Sequence, residues 1–410
     1  MKRYLSDFEL TYEFVKKSIY DCLNGTSTRS PRWKRRDTAV FIAEYYIIYQ
    51  KEKGLIVDDI KNLCKKVHYW SVNDVTKLYP VIDYISYKMY LEIKQRHIRL
   101  KRIKIDERYD PLAKKVRKIG ISCMKQQCYD YVAVNACKKM FLSKIGHYQC
   151  ASLKNKGQLF GKQAIESWIR TNPKKCRWIF KCDVKKFYPS VSHDNIKKLL
   201  RRDIKNIDVL YLIFSLINSY EEGLCIGSYL CQYLANYYLS YAYHYITEMV
   251  YVYKRNKRYN LIHHALFYMD DIILIGSNKK YVKMASKLLE KYLNEKLLLK
   301  LKPSYQLFPI DSRPIDMMGY KIYTYKTTVR RRIFNNANKV LVKNKGKDTI
   351  NLEDSYKIIS YYGYFKHTNS KKYERKVKLK KSLKITKEET KIKKTFKKQV
   401  EVKNPGDRKS

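Results

Sequence analysis

Between Ala265 and Gly276 the chain reads ALFYMDDIILIG. Two strand-forming runs, Leu266 to Met269 and Ile272 to Ile275, meet at the adjacent acids Asp270 and Asp271. Carboxylates are costly inside an apolar pattern unless something neutralises them. The simplest placement is the tip of a β-hairpin, where a divalent cation could offset the two charges. A bare Asp-Asp pair more often marks an ordinary turn, so a metal site needs further acids from elsewhere.

One candidate lies upstream. Trp178 to Val191 reads WIFKCDVKKFYPSV. Ile179, Phe180 and Cys182 are strand-like, Asp183 ends the run, and a helix should begin near Ser192. Asp183 and Asp270 lie 270 − 183 = 87 positions apart, too far for one local motif. Two strands that each end in Asp suit a site assembled by the fold. Between them, Gly223 to Ser240 reads GLCIGSYLCQYLANYYLS: two glycines, which let backbone approach a ligand closely, then a tyrosine-rich helix.

Charge narrows the function. The 410 residues carry 87 Lys plus Arg against 38 Asp plus Glu, a formal +49. This points to a polyanionic partner, most simply nucleic acid. With 45% hydrophobic residues the chain can bury a substantial core. No apolar run approaches the roughly 18 residues of a spanning helix, and Met1 to Phe14 lacks a signal-peptide apolar region, so a cytoplasmic protein with no membrane partner is expected. The ten cysteines form no Cys-x-x-Cys, which disfavours a zinc ribbon and favours reduced thiols.

Residues 1–100 read as an N-terminal helical region, with helical periods over Phe8 to Leu23, Thr38 to Tyr49 and Val57 to Val67. Residues 101–330 mix short strands with helices, an α+β body. Residues 331–370 read as two short helices around a loop at Asn344 to Asp348. Residues 371–410 carry 17 basic and 5 acidic residues and read as a flexible polybasic tail adding salt-sensitive affinity for phosphates.

Taken in order, these segments resemble a bacterial reverse transcriptase. FKCDVKKFYPSV resembles the first palm motif, GLCIGSYLCQ the second and YMDD, at Tyr268 to Asp271, the third. IDMMGY, at Ile315 to Tyr320, resembles the primer-grip segment; KVRKIGI, at Lys115 to Ile121, and ASLKNKG, at Ala151 to Gly157, resemble fingers motifs. Ile226 to Gln232 looks most like the diversity-generating retroelement branch. The chain departs from the pattern at Cys225, where Pro is usual, at Cys231, where Ser is usual, and at Leu297-Leu298-Leu299, which replaces a glycine-containing turn.

The resemblance implies a right-hand polymerase with fingers, an antiparallel palm packed on helices, and a small helical thumb. It implies an RNA-directed DNA polymerase that extends a DNA or RNA primer on an RNA template with dNTPs, using two Mg²⁺ ions. Asp183 and Asp270 would bridge the ions with help from the Val184 carbonyl, and Asp271 would be the outer acid. Tyr188, or Phe187 if the turn is shifted, would exclude a 2′-hydroxyl. Gly227 and Gln232 would lie near the template base and nucleotide, Lys115 and Arg117 at the triphosphate, and Met318, Gly319 and Tyr320 at the primer. A small basic accessory protein is a further implied partner. A phage-defence polymerase making untemplated or protein-primed DNA shares these motifs, and a catalytically silent RNA-binding protein is the alternative from another class.

Overall fold

The computed structural model describes residues 3–25, 31–110 and 115–403, with backbone alone at 110, 115 and 392–403. Four helices come first: α1 (Tyr12–Asn24), α2 (Arg36–Glu52), α3 (Ile60–Asn73) and α4 (Tyr79–Lys94). The first starts at Tyr12 rather than near Phe8 because the Thr11 hydroxyl accepts from the Phe14 N–H and caps it. Of the two acids at the third helix start, Asp59 caps it, while Asp58 pairs with Lys66. Arg32 is buried and donates to the Cys22 carbonyl and the Tyr131 hydroxyl. These helices share one continuous apolar core with the body that follows: Leu10, Ile42, Leu63 and Ile85 belong to the same cluster as Phe180, Leu234 and Ile272.

The body opens with an antiparallel ribbon, β1 (Lys104–Asp110) and β2 (Lys115–Ile121), then α5 (Met124–Lys144), β3 (Gln149–Cys150), α6 (Gln158–Thr171), β4 (Trp178–Asp183), α7 (Phe187–Ser190), α8 (His193–Asp203), α9 (Ile207–Asn218) and α10 (Tyr229–His244). A small hairpin, β5 (Tyr251–Lys254) and β6 (Lys257–Asn260), precedes β7 (His264–Tyr268), β8 (Asp271–Gly276), α11 (Lys279–Leu297) and β9 (Gln306–Pro309).

The central sheet has the order β3-β7-β8-β4-β9, antiparallel except for β3 with β7. Side chains alternate across it, as the period of two demands. Phe180, Cys182, Phe267, Ile272 and Leu274 join the helical core, while Ile179, Leu266, Ile273 and Ile275 join a second cluster with α6. That second cluster also takes in β10 (Ile315–Met317) and β11 (Tyr320–Ile322), which pair with β12 (Thr327–Val329) in a separate antiparallel sheet.

The last helices are α12 (Arg331–Lys343), α13 (Leu352–Phe365), α14 (Lys371–Lys376) and α15 (Leu379–Lys403). The sequence expectation of a flexible tail from 371 is corrected here. Val377, Leu379 and Leu383 are buried with Ile358 and Phe365 of α13, and Ser382 and Thr386 are also covered. Those apolar residues are isolated among lysines in the sequence, but together they cover a flank of α13 beside the one that α12 covers. The expected tail beyond 403 lies outside the described residues.

All ten cysteines are free, and eight of them are buried, Cys64 and Cys123 being the exceptions. Burial pushes the Cys150 thiol up to about 12 and Cys176 to about 11. Among the described residues no helix is long and apolar enough to cross a membrane.

Candidate active site

Asp183 ends β4 and faces Asp271, the first residue of β8, as its direct cross-strand partner. Both follow the parity of Ile179 and Ile273, so both carboxylates belong to the sheet face opposite the helical core. Asp270 lies in the two-residue turn that joins Tyr268 to Asp271, and Met269 beside it adopts φ +53°. A left-handed methionine stores backbone strain, and here it makes the hairpin tight. The Val184 N–H donates to the Asp270 carbonyl at 3.0 Å, which clamps the strand end to the turn. On the other side Val184 bridges Leu301.

Crowding of the three acids shows in their electrostatics. Burial first, and then the charges of Asp183 and Asp271, push the Asp270 carboxyl up to about 6. Burial raises Asp271 too, against the opposing charge of Lys181. Asp183 meets a cation that the sequence reading missed. Lys302 Nζ lies 2.6 Å from Asp183 Oδ1, and the Lys302 N–H donates to the Asp183 carbonyl at 2.8 Å. Oδ1 is buried, and Lys302 does not approach it in hydrogen-bond geometry.

Among the described residues no three acidic, histidine or cysteine side chains gather closely enough to hold a metal ion as they stand. The donor set nevertheless suits a hard divalent cation. Its oxygens come from adjacent strands, one buried oxygen lacks an aligned donor, and like charges raise one member. The cations these acids meet are Lys302 at Asp183 and Lys181 near Asp271.

Around the acids, Phe187 is core at 3% exposure. Tyr188 is half-buried, and the charge of Asp270 contributes to raising its hydroxyl pKa, though burial is the larger cause. Its carbonyl accepts from the Leu224 N–H at 2.8 Å, pinning the loop that leads into α10. That loop also touches the ribbon. The Gly120 N–H donates to the Ile226 carbonyl at 2.9 Å, and a Cβ at Gly120 would collide with Cys225 Sγ. Gly227 takes φ +121°, and a side chain there would strike the Gly120 carbonyl. Cys225 thus fills the space that the absent side chain of Gly120 leaves.

Helix α10, which carries the half-buried Gln232, is set by Asp130 of α5, a residue that sequence reasoning did not single out. Its carboxylate accepts from the Ser228 hydroxyl at 2.8 Å and the Tyr229 N–H at 3.0 Å. The turn Met318-Gly319 joins β10 to β11, with φ of +55° and +86°. Met318 seats against Gly161 of α6, and Gly319 closes on Tyr364. Tyr320 is buried against the same Tyr364 ring, at 5.5 Å between centroids. Arg117 is exposed on β2, beyond the Gly120 junction; the Lys115 side chain lies outside the described residues.

Comparison with known proteins gives one family and two loosely similar solved structures. Residues 104–322, more than half of the chain, match the family model described as reverse transcriptase (RNA-dependent DNA polymerase). No curated protein matches. Among solved structures, apo telomerase from Candida tropicalis, truncated from its C-terminal domain, is 11% identical, with 78% of this chain and 76% of that chain covered at a TM-score of 0.39. Telomerase from Candida albicans in complex with a TWJ fragment of telomeric RNA is 10% identical, covering 69% and 56% at a TM-score of 0.42. Both likenesses are loose. The family match over residues 104–322 makes the chain an RNA-directed DNA polymerase, a nucleotidyltransferase, and the protein belongs to the reverse transcriptase family.

Proposed function

We propose that this enzyme copies an RNA template into DNA by extending the 3′-hydroxyl of a DNA or RNA primer with dNTPs, and that Asp183, Asp270 and Asp271 are its catalytic acids. The observation that carries this is the register of β4 on β8, which sets Asp183 opposite Asp271 with Asp270 in the adjoining turn. Asp183, Asp270, Asp271 and the Val184 carbonyl would hold two Mg²⁺ ions, which would lower the hydroxyl pKa and offset charge on the leaving pyrophosphate.

The remaining roles belong to the chain. Tyr188, rather than the core residue Phe187, bounds the sugar and rejects a 2′-hydroxyl. Gly227 and Gln232 lie by the template base and incoming nucleotide, and Lys115 and Arg117 draw in the triphosphate. The Met318-Gly319 turn supports the primer, with Tyr320 anchoring it in the core. Basic surface holds the RNA backbone through phosphates and 2′-hydroxyls. In this division, residues 101–330 are fingers and palm, and 331–370 are thumb.

The Ile226–Gln232 pattern supports placing the enzyme in a bacterial or phage retroelement, working with a small basic accessory protein. Primer extension on an RNA template with Mg²⁺ and dNTPs tests the reading. Template-dependent product from the wild type supports it, and product whose sequence ignores the template overturns it.

A further inference from the structure

Between Lys181 of β4 and the residues of β10 and β11 lies an open cavity of about 560 Å³. Among the described residues it is lined by Lys181, Arg313, Lys321, Arg330 and Arg332, with Asp316 as the one carboxylate. Five cations against one acid leave a net +4 in a space of nucleotide size. Collecting like charges is unfavourable unless a polyanion joins them.

Several of these cations are held in place. Lys181 shares the sheet face of Asp183, two residues before it on β4, and its ammonium donates to the Asp316 carbonyl at 2.5 Å. Arg330 Nε donates to Asp316 Oδ1 at 2.5 Å, and its own N–H donates to the Gly319 carbonyl. The Arg313 guanidinium stacks 4.0 Å from the centre of the Phe308 ring. Lys321 faces Asp316 across the β10–β11 pair. Fixed guanidinium and ammonium groups of this kind match phosphate oxygens, because little side-chain entropy remains to be lost on binding.

A second basic cavity, near Trp178, has a different character. It is lined by Arg177, Lys279, Lys280 and Lys283 without a carboxylate, and Lys279 lies over the Trp178 ring. It offers charge without the cross-bracing that Asp316 gives the first.

We propose that the cavity bounded by Lys181, Arg313, Lys321, Arg330 and Arg332 is a phosphate-binding site. It would take the phosphates of a free oligophosphate or of a strand backbone. It is distinct from the triphosphate position proposed for Lys115 and Arg117, because it opens beside β10 and β11, whereas those residues ride on the β1–β2 ribbon. The site does not depend on the acids being catalytic, since it is read by binding alone.

The test uses the full chain in EDTA with two probes, sodium tripolyphosphate and a short oligo(dT), followed by calorimetry or a melting shift. Arg313→Gln/Lys321→Gln removes two cations from the cavity. Lys279→Gln/Lys283→Gln removes two from the surface near Trp178 and serves as the charge-matched control. Circular dichroism establishes that both variants fold. The first variant should bind at least one probe about ten-fold more weakly, and the control should bind both much as the wild type does. Loss confined to tripolyphosphate identifies a free oligophosphate as the ligand, and loss for oligo(dT) identifies a strand backbone. Equal weakening by the two variants, or no weakening by the first, overturns the proposal.

Discussion

Lys302 meets Asp183 twice, through an ammonium 2.6 Å from Oδ1 and through a backbone N–H on the Asp183 carbonyl. The backbone contact fixes where the side chain starts; the ion pair is free to exchange for another cation. Both partners are about a third exposed, so the pair is worth about 0.2–1 kcal/mol. Lys302→Gln should therefore tighten Mg²⁺ binding by up to about five-fold, since the competing charge is gone. Titration of Mg²⁺ or Mn²⁺ against melting temperature measures this, and an unchanged midpoint contradicts it.

If Asp270 is a catalytic acid, Asp270→Asn should lower primer extension by about a thousand-fold or more. RNA binding should survive, because the basic surfaces are untouched. Extension at wild-type rate would remove Asp270 from the reaction.

The neighbours Phe187 and Tyr188 should part company under substitution. Tyr188→Ala is expected to raise incorporation of ribonucleotides relative to deoxynucleotides by roughly ten-fold or more, on the scale of one lost steric contact. Phe187→Ala should instead cost about 3–5 kcal/mol of stability, as a large side chain removed from the core. The two ratios are read from competitive extension assays and from urea melts.

Asp130 makes a pH prediction. Burial raises its carboxyl to about 6, against hydrogen bonds from Ser228 and the start of α10 and the charge of Arg32. The folded chain then holds a proton between about pH 4 and 6 that the unfolded chain has released. Bound protons are more numerous in the native state there, so this residue's contribution to stability falls as pH rises through that window. Asp130→Asn should remove up to about 3 kcal/mol of that fall. Parallel pH–stability curves for wild type and variant would refute the assignment.

Cutting the chain before Lys371 should destabilise it, because Val377, Leu379 and Leu383 cover α13. Leu379→Ala alone should cost about 2–4 kcal/mol, whereas Lys380→Ala, at an exposed position of the same helix, should cost less than about 0.5 kcal/mol. Thermal melts of the three forms decide.

The hairpin of acids was legible because an apolar alternation broken by two charges has few homes, and Asp183 was legible because it closes a similar run. The helix starts at Asp59, Ser192 and Asn351 follow capping chemistry visible in the chain. Other features depend on contacts between distant segments. No local pattern reveals that Lys302 lies on Asp183, that Cys225 fills the space above Gly120, or that Asp130 orients α10. The last helix escaped notice because its apolar residues are spaced among lysines, and only the exposed flank of α13 gives them a purpose.

The burial of eight thiols has a practical consequence. Cys64 and Cys123, the two partly exposed cysteines, should react first with a maleimide or iodoacetamide reagent, and the others only when their surroundings come apart. Labelling followed by peptide mapping would therefore time the opening of each layer separately, with Cys22 and Cys128 reporting on the packing of α1 against α5 and Cys182 on the strand that ends in Asp183. The fold carries its own set of clocks, with no probe to engineer.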